Sequence, residues 1–311
     1  KSKKKIEIME FVLIKKKEEK NMQVSQIIKM KKVLRLIKRY PLSAFFILTF
    51  VISWGSIFLV MGTGGILGSE EISENLMPFV YLATLLGPGI AGVLLIAIVD
   101  GKLGFKDFSS RLFKWKIAAR WYAVALLTAP ILISIILFGF SIMSQSFLPT
   151  LVNADNKLSL LLTGIVMGLL VGFFEEVGWT GFAVPKLMQR YGAFTTGLIV
   201  GFFWGFWHLP LFLGNVISSE ELPAFLYLFV LLFSFLPVYR VLMVWVYEFT
   251  GSLLLVVLMH MPLAASQLIL IPSTISAWQI VAYDLVFALS LWLIVFALLV
   301  ANNWKLRRNV N

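Results

Sequence analysis

The two histidines of this chain, His208 and His260, both fall inside long apolar runs, GFFWGFWHLPLFL and SLLLVVLMHMPLAAS. A pair of adjacent glutamates, Glu175 and Glu176, falls inside a third, GLLVGFFEEVGWTGF. Ionisable groups in such runs cost about 2.5–3.5 kcal/mol each to insert into a bilayer, and they face a cavity or a partner when they occur. Two kinds of chemistry suit the set. A glutamate can act as general base on a water, with His208 orienting or sharing the proton and His260 donating to the developing oxyanion. Alternatively, His208, His260 and Glu175 can bind zinc, which acidifies the water while the other glutamate serves as base. No HExxH spacing supports the zinc reading. A blander alternative makes the same residues polar clamps between helices.

The elements that carry these residues have to be membrane helices. Of the 311 residues, 59% are hydrophobic and 14% charged, against roughly 45–50% and 25% in soluble domains. A single core cannot absorb that excess, so it faces lipid. Lys and Arg number 27 against 16 Asp and Glu, but the positives lie between apolar segments, as the positive-inside rule requires, and not on a face for nucleic acid. Cysteine is absent, which excludes disulfides, cysteine-zinc sites and a thiol nucleophile. No GxSxG element points to a serine one.

About 20 apolar residues cross the hydrocarbon core. On that rule the fold is all-α, a polytopic bundle of about eight transmembrane helices: 41–62, 78–99, 121–143, 158–182, 193–213, 223–246, 251–271 and 278–300. Lys and Arg cluster in loops 100–120 and 183–192 and in the C-terminal tail, where Lys305, Arg307 and Arg308 lie. The intervening loops are acidic or neutral, with Glu70, Glu71 and Glu74 in one and Glu220 and Glu221 in another. Both termini are therefore expected in the cytoplasm of a multi-pass cell-membrane protein. Residues 1–40 read as a basic tail, disordered or lying on the membrane surface, with Met30 a natural start; 41–301 form one transmembrane domain, and 302–311 a cytoplasmic tail. The stretch 105–121 mixes aromatics with Lys and Arg and reads as an interfacial anchor.

Depth can be compared at 1.5 Å per residue. His260 lies about 13 Å from Gly251, and Glu176 about 12 Å from the same side. His208 comes out deeper, about 22 Å from Ala193. A shared cavity facing the cytoplasm is the expectation. Successive helical residues point about 100° apart, so one glutamate faces the cavity and its neighbour contacts another helix or supports the first. Trp179, Trp204 and Trp207, beside the polar set, read as lining a lipid-facing groove. Arg240 and Glu248 read as end-of-helix residues, with Arg240 a candidate partner for a buried carboxylate.

Taken in order, FEEVGWTGFAVPKL, GFFWGFWHLPLFL and TGSLLLVVLMHMPLAA resemble the three motifs of the CPBP (CaaX protease and bacteriocin-processing, or Abi) intramembrane protease family. The similarity runs from about residue 39 to the last helix. It implies an endopeptidase, usually labelled a metalloprotease, acting near the cytoplasmic membrane face on a peptide or protein, lipidated in some members. By the resemblance Glu175 and Glu176 are the paired glutamates, which activate water. His208 is then the assisting histidine and His260 the oxyanion holder. Two positions depart from the pattern. Thr180 stands where the family has arginine, which would pair with Glu176 one turn away. Ala264 stands where it has asparagine, and loss of one oxyanion donor costs about 10²–10³ in rate. These departures motivate a second reading, a weakened or inactive relative that binds peptide or confers bacteriocin immunity. A proton-coupled carrier ranks last, because no repeat or paired broken helices are visible.

Overall fold

The computed structural model describes residues 2–70, 72–219, 221–302 and 306. Glu71, Glu220 and the tail residues Lys305, Arg307 and Arg308 lie outside the described residues. Helices account for the architecture, and no strand occurs among the described residues. The chain divides into a unit up to Ala44 and a second from Phe45 onward. In the first, Ser2–Arg39 is one helix, α1. The run holds no Gly or Pro and is rich in Lys, Glu, Met, Leu and Ile, all tolerant of helix. Pro41 then begins α2 (Pro41–Ile66).

In the second unit α3 (Met77–Leu95) continues through a π turn, Ile96–Asp100, into α4 (Gly101–Leu112). Next come α5 (Ala119–Ser141) and the short α6 (Thr150–Asn153). After these, α7 (Lys157–Gly178) runs through a second π turn, Trp179–Ala183, into α8 (Val184–Met188). The remainder is α9 (Ala193–Trp207), α10 (Leu209–Ser218), α11 (Ala224–Phe233), α12 (Phe235–Thr250), α13 (Leu253–Leu270) and α14 (Ala277–Ala301). Among the described residues seven helical stretches are long and apolar enough to cross a bilayer, α11 and α12 counting as one. The eighth expected span, 193–213, is instead two helices broken at His208. Pro210 has no N–H to give back into α9 and sits in the first turn of α10. This makes the chain a multi-pass membrane protein.

Small residues decide how the helices meet. On α7, Gly164, Gly168 and Gly172 recur every fourth residue and press against α13, where added methyls would meet Ile269, Met261 and Val257. That spacing lets two backbones approach closely, and the next residue in the series is Glu176. On α9, Gly197, Gly201 and Gly205 do the same against Val241, Pro237 and Leu232 of α12 and α11. The two ladders seat α13 on α7 and α12 on α9, so two polar-bearing helices meet two others at fixed register. Gly251, at φ 59°, ends α12 in the left-handed conformation and turns the chain into α13.

Gly172→Ala would place a methyl 2.9 Å from the Val257 carbonyl oxygen. It is expected to cost about 1–3 kcal/mol. Gly139→Ala, where the methyl meets open space, should cost nothing. Thermal unfolding of the two variants in detergent checks the difference.

Candidate active site

The π turn after the glutamate pair has an identifiable cause. Pro185 cannot donate to the Gly181 carbonyl, and that oxygen accepts from Arg111 Nη2 at 2.9 Å instead. A wide turn of this kind just past polar residues is common at functional sites. It begins at Trp179, one turn after Glu175.

Glu176 is fully buried and saturated. Arg240 Nη1 donates to Oε1 at 2.7 Å and to Oε2 at 2.8 Å. The Thr180 hydroxyl donates to Oε2, and His260 Nδ1 lies 2.8 Å from Oε1. A carboxylate paired with an arginine only accepts, so His260 carries its proton on Nδ1 and leaves Nε2 for the cavity. Arg240 therefore sits mid-helix in α12 and is not an end-of-helix residue. Its guanidinium carbon also stacks 4.2 Å from the Trp204 ring centre, a cation–π contact that covers a side of the charge without hydrogen bonds. The position held by Thr180 is not empty of cation: one arrives from another helix.

Trp204 ties the rest together. Its Nε1 donates to Glu175 Oε2 at 2.6 Å. Its ring meets His260 edge-on with centroids 5.3 Å apart. His208 Nδ1 lies 2.8 Å from its carbonyl oxygen. A carbonyl can only accept, so His208 too is protonated on Nδ1 and presents Nε2 as a base. His208 reaches this carbonyl because it follows the last residue of α9 and its own N–H bonds to the Gly205 carbonyl at 3.1 Å, which leaves the Trp204 oxygen to the side chain. Trp179, Trp204 and Trp207 are 0%, 1% and 0% exposed, so they are packing residues inside the bundle and line no lipid-facing groove. The spacing of Trp204 and Trp207 on GFFWGFW cannot be told from a lipid-facing stripe, because every side of that helix is apolar.

Glu175, His208 and His260 line one cavity of about 410 Å³, whose walls also include Leu231, Phe235, Leu263 and Ala264. The lining continues through Gln267 and Ile271 of α13 and its C-terminal end, Val216, Tyr227, and Ile280, Tyr283 and Asp284 of α14. It therefore extends toward the loops at 219–223 and 271–276, away from the basic loops. The sequence reading counts depth from the basic side and expects the cavity there; the lining runs the other way. Depth counts give the level of each residue but not which side of it is filled, and here Trp179, Phe182 and Tyr239 are buried in the packing around the site. The set that sequence reasoning singled out does converge. What it passed over is Asp284, an acid in an apolar run like the others; Arg240, offered there as a partner for a buried carboxylate, is the partner of Glu176.

Glu176 and the Trp204 carbonyl hold the two Nδ1 atoms and Trp204 holds Glu175 Oε2, which leaves both Nε2 atoms and Glu175 Oε1 for the cavity, as metal-ligating histidines require. Among the described residues, however, no three His, Asp or Glu side chains are grouped to hold an ion, so His208, His260 and Glu175 would hold zinc only by closing on one point.

Residues 157–265, which hold the glutamates and both histidines, match the family described as type II CAAX prenyl endopeptidase Rce1-like. The CAAX prenyl protease 2 of Methanococcus maripaludis is 32% identical over 183 residues, 57% of this chain and 65% of that protein. The match thus spans just under two-thirds of the relative's length.

A chain without cysteine allows the cavity to be probed directly. Ala264→Cys, on the wall, should react with a water-soluble maleimide in mild detergent. Ala129→Cys, sealed in the bundle at 0% exposure, should stay unlabelled until the protein is denatured. Mass spectrometry of the labelled protein reads both.

Proposed function

We propose, for a chain that belongs to the CPBP family of intramembrane proteases, that it hydrolyses a peptide bond held in this cavity by direct attack of a water activated by Glu175. What carries the proposal is the division of labour between adjacent carboxylates. Glu176 is locked by Arg240, Thr180 and His260, whereas Glu175 has one partner and lines the cavity with both histidines. Glu175 Oε1 takes a proton from the water as its oxygen bonds to the carbonyl carbon. His208 Nε2 shares or relays that proton to the leaving amine, and the C–N bond breaks. To donate to the oxyanion through Nε2 as well, the His260 ring must be an imidazolium, and Glu176 is then its counter-ion.

The substrate is a membrane-associated peptide or protein. The relative's name specifies prenylated proteins, and walls of Leu231, Phe235, Leu263 and Ile280 would accept an isoprenoid as readily as apolar side chains. With the basic loops and both termini in the cytoplasm, as the charge pattern proposes, the cavity reaches toward the opposite face. Glu175→Gln and His208→Ala should each lower cleavage of a membrane-bound peptide by about 10²–10⁴ without loss of folded protein. Cleavage at the parent rate in either variant contradicts the mechanism.

One observation favours a weaker enzyme over a fully active one. Ala264 lines the cavity beside His260 and offers no donor, whereas the Thr180 departure is answered by Arg240. Ala264→Asn should therefore raise the cleavage rate, by as much as about 10². The same peptide assay checks it.

A further inference from the structure

Asp284 is the one acid in α14, and the mechanism leaves it unused. It is 3% exposed, lines the cavity with Tyr227, Tyr283 and Gln267, and has no hydrogen-bond partner for Oδ2 among the described residues. Oδ2 therefore clamps no neighbouring helix among the described residues. The start of α14 has its own fittings: Ser276 caps it, and Glu221 Oε2 accepts from the Ala277 N–H at 2.8 Å. A carboxyl taken from water without a partner costs several kcal/mol, a cost that a bound ligand can relieve. The cavity narrows the ligand further. Neither Lys nor Arg occurs in its lining, and its two carboxyl groups, Glu175 and Asp284, belong to different helices.

We infer that Asp284 forms a specificity subsite for the basic side chain of a peptide substrate, a Lys or Arg, reached through the same cavity as the scissile bond. This rests on the protease reading for its register. Along α13 the rise from His260 to Gln267 is about 10 Å, the span of about three residues of extended peptide. The basic residue is therefore placed about three positions from the bond that is cut. Gln267 Nε2, which also lacks a partner, faces the same ligand as a polar neighbour.

The test uses the full chain in detergent and a set of fluorescent apolar decapeptides carrying one Lys, norleucine or Glu at each position in turn. With wild type, Lys about three residues from the cut should raise kcat/KM about tenfold over norleucine. Asp284→Asn, which keeps the shape, should remove that preference, bringing the Lys and norleucine peptides to the same kcat/KM. Asp284→Lys should favour Glu at that position. Binding of the same peptides to Glu175→Gln, read by fluorescence anisotropy, separates this proposal from the proteolysis itself. If nothing is cut but the Lys peptide binds about tenfold tighter and loses this on adding Asp284→Asn, the subsite stands and the protease reading falls. If peptides are cut, or bound, with no dependence on Lys or on Asp284, the subsite is overturned.

Discussion

The ion pair between Arg240 and Glu176 is the constraint on which the site depends. Both side chains are fully buried. Such a pair is costly to break, because either partner left alone is an uncompensated charge, worth about 3–5 kcal/mol. The pair spends Glu176 on structure. That lock holds Nδ1 of His260, turns Nε2 toward the cavity, and leaves Glu175, on the adjoining face of α7, as the carboxylate with a free oxygen. The chemistry proposed at Glu175 thus depends on electrostatics at Glu176.

Helix packing makes the pair geometrically compulsory. A glycine ladder on α7 sets α13 at the register where His260 meets Glu176, and a second on α9 sets α12 where Arg240 meets both Glu176 and the face of Trp204. Trp204 then belongs to both halves. It holds Glu175 through its indole N–H and His208 through its backbone, so the proposed base and its proposed assisting histidine are fixed by one residue. Pro210 contributes by ending α9 at His208, which frees the Trp204 carbonyl region for a side-chain contact.

Much of this was legible in the sequence. Long apolar runs are unambiguous, and four ionisable groups inside them stand out because each is expensive there. Arg240 was harder. It lies within the run FLPVYRVLMVWVY, apolar on every side, so nothing in the periodicity says which way it points, and only the crossing of α12 with α7 decides it. The break at His208 follows from Pro210 but was hidden by the length of the hydrophobic stretch around it. Asp284 escaped notice as a single acid with no neighbour to form a motif. The side on which the cavity is filled depends on where large aromatics such as Trp179 and Tyr239 pack, a property of three-dimensional contacts that residue counts do not carry.

The central claim, that a cation from α12 organises the site in place of one on α7, is tested most directly by moving it. Arg240→Ala and the double variant Arg240→Ala with Thr180→Arg would be compared for thermal stability in detergent and for Glu175-dependent peptide cleavage. The single change should lower stability by about 3–5 kcal/mol and abolish cleavage. The double change should restore much of both, since residue 180 is one turn from Glu176 on the same helix. An Arg240→Ala protein as stable and as active as the parent would contradict the account.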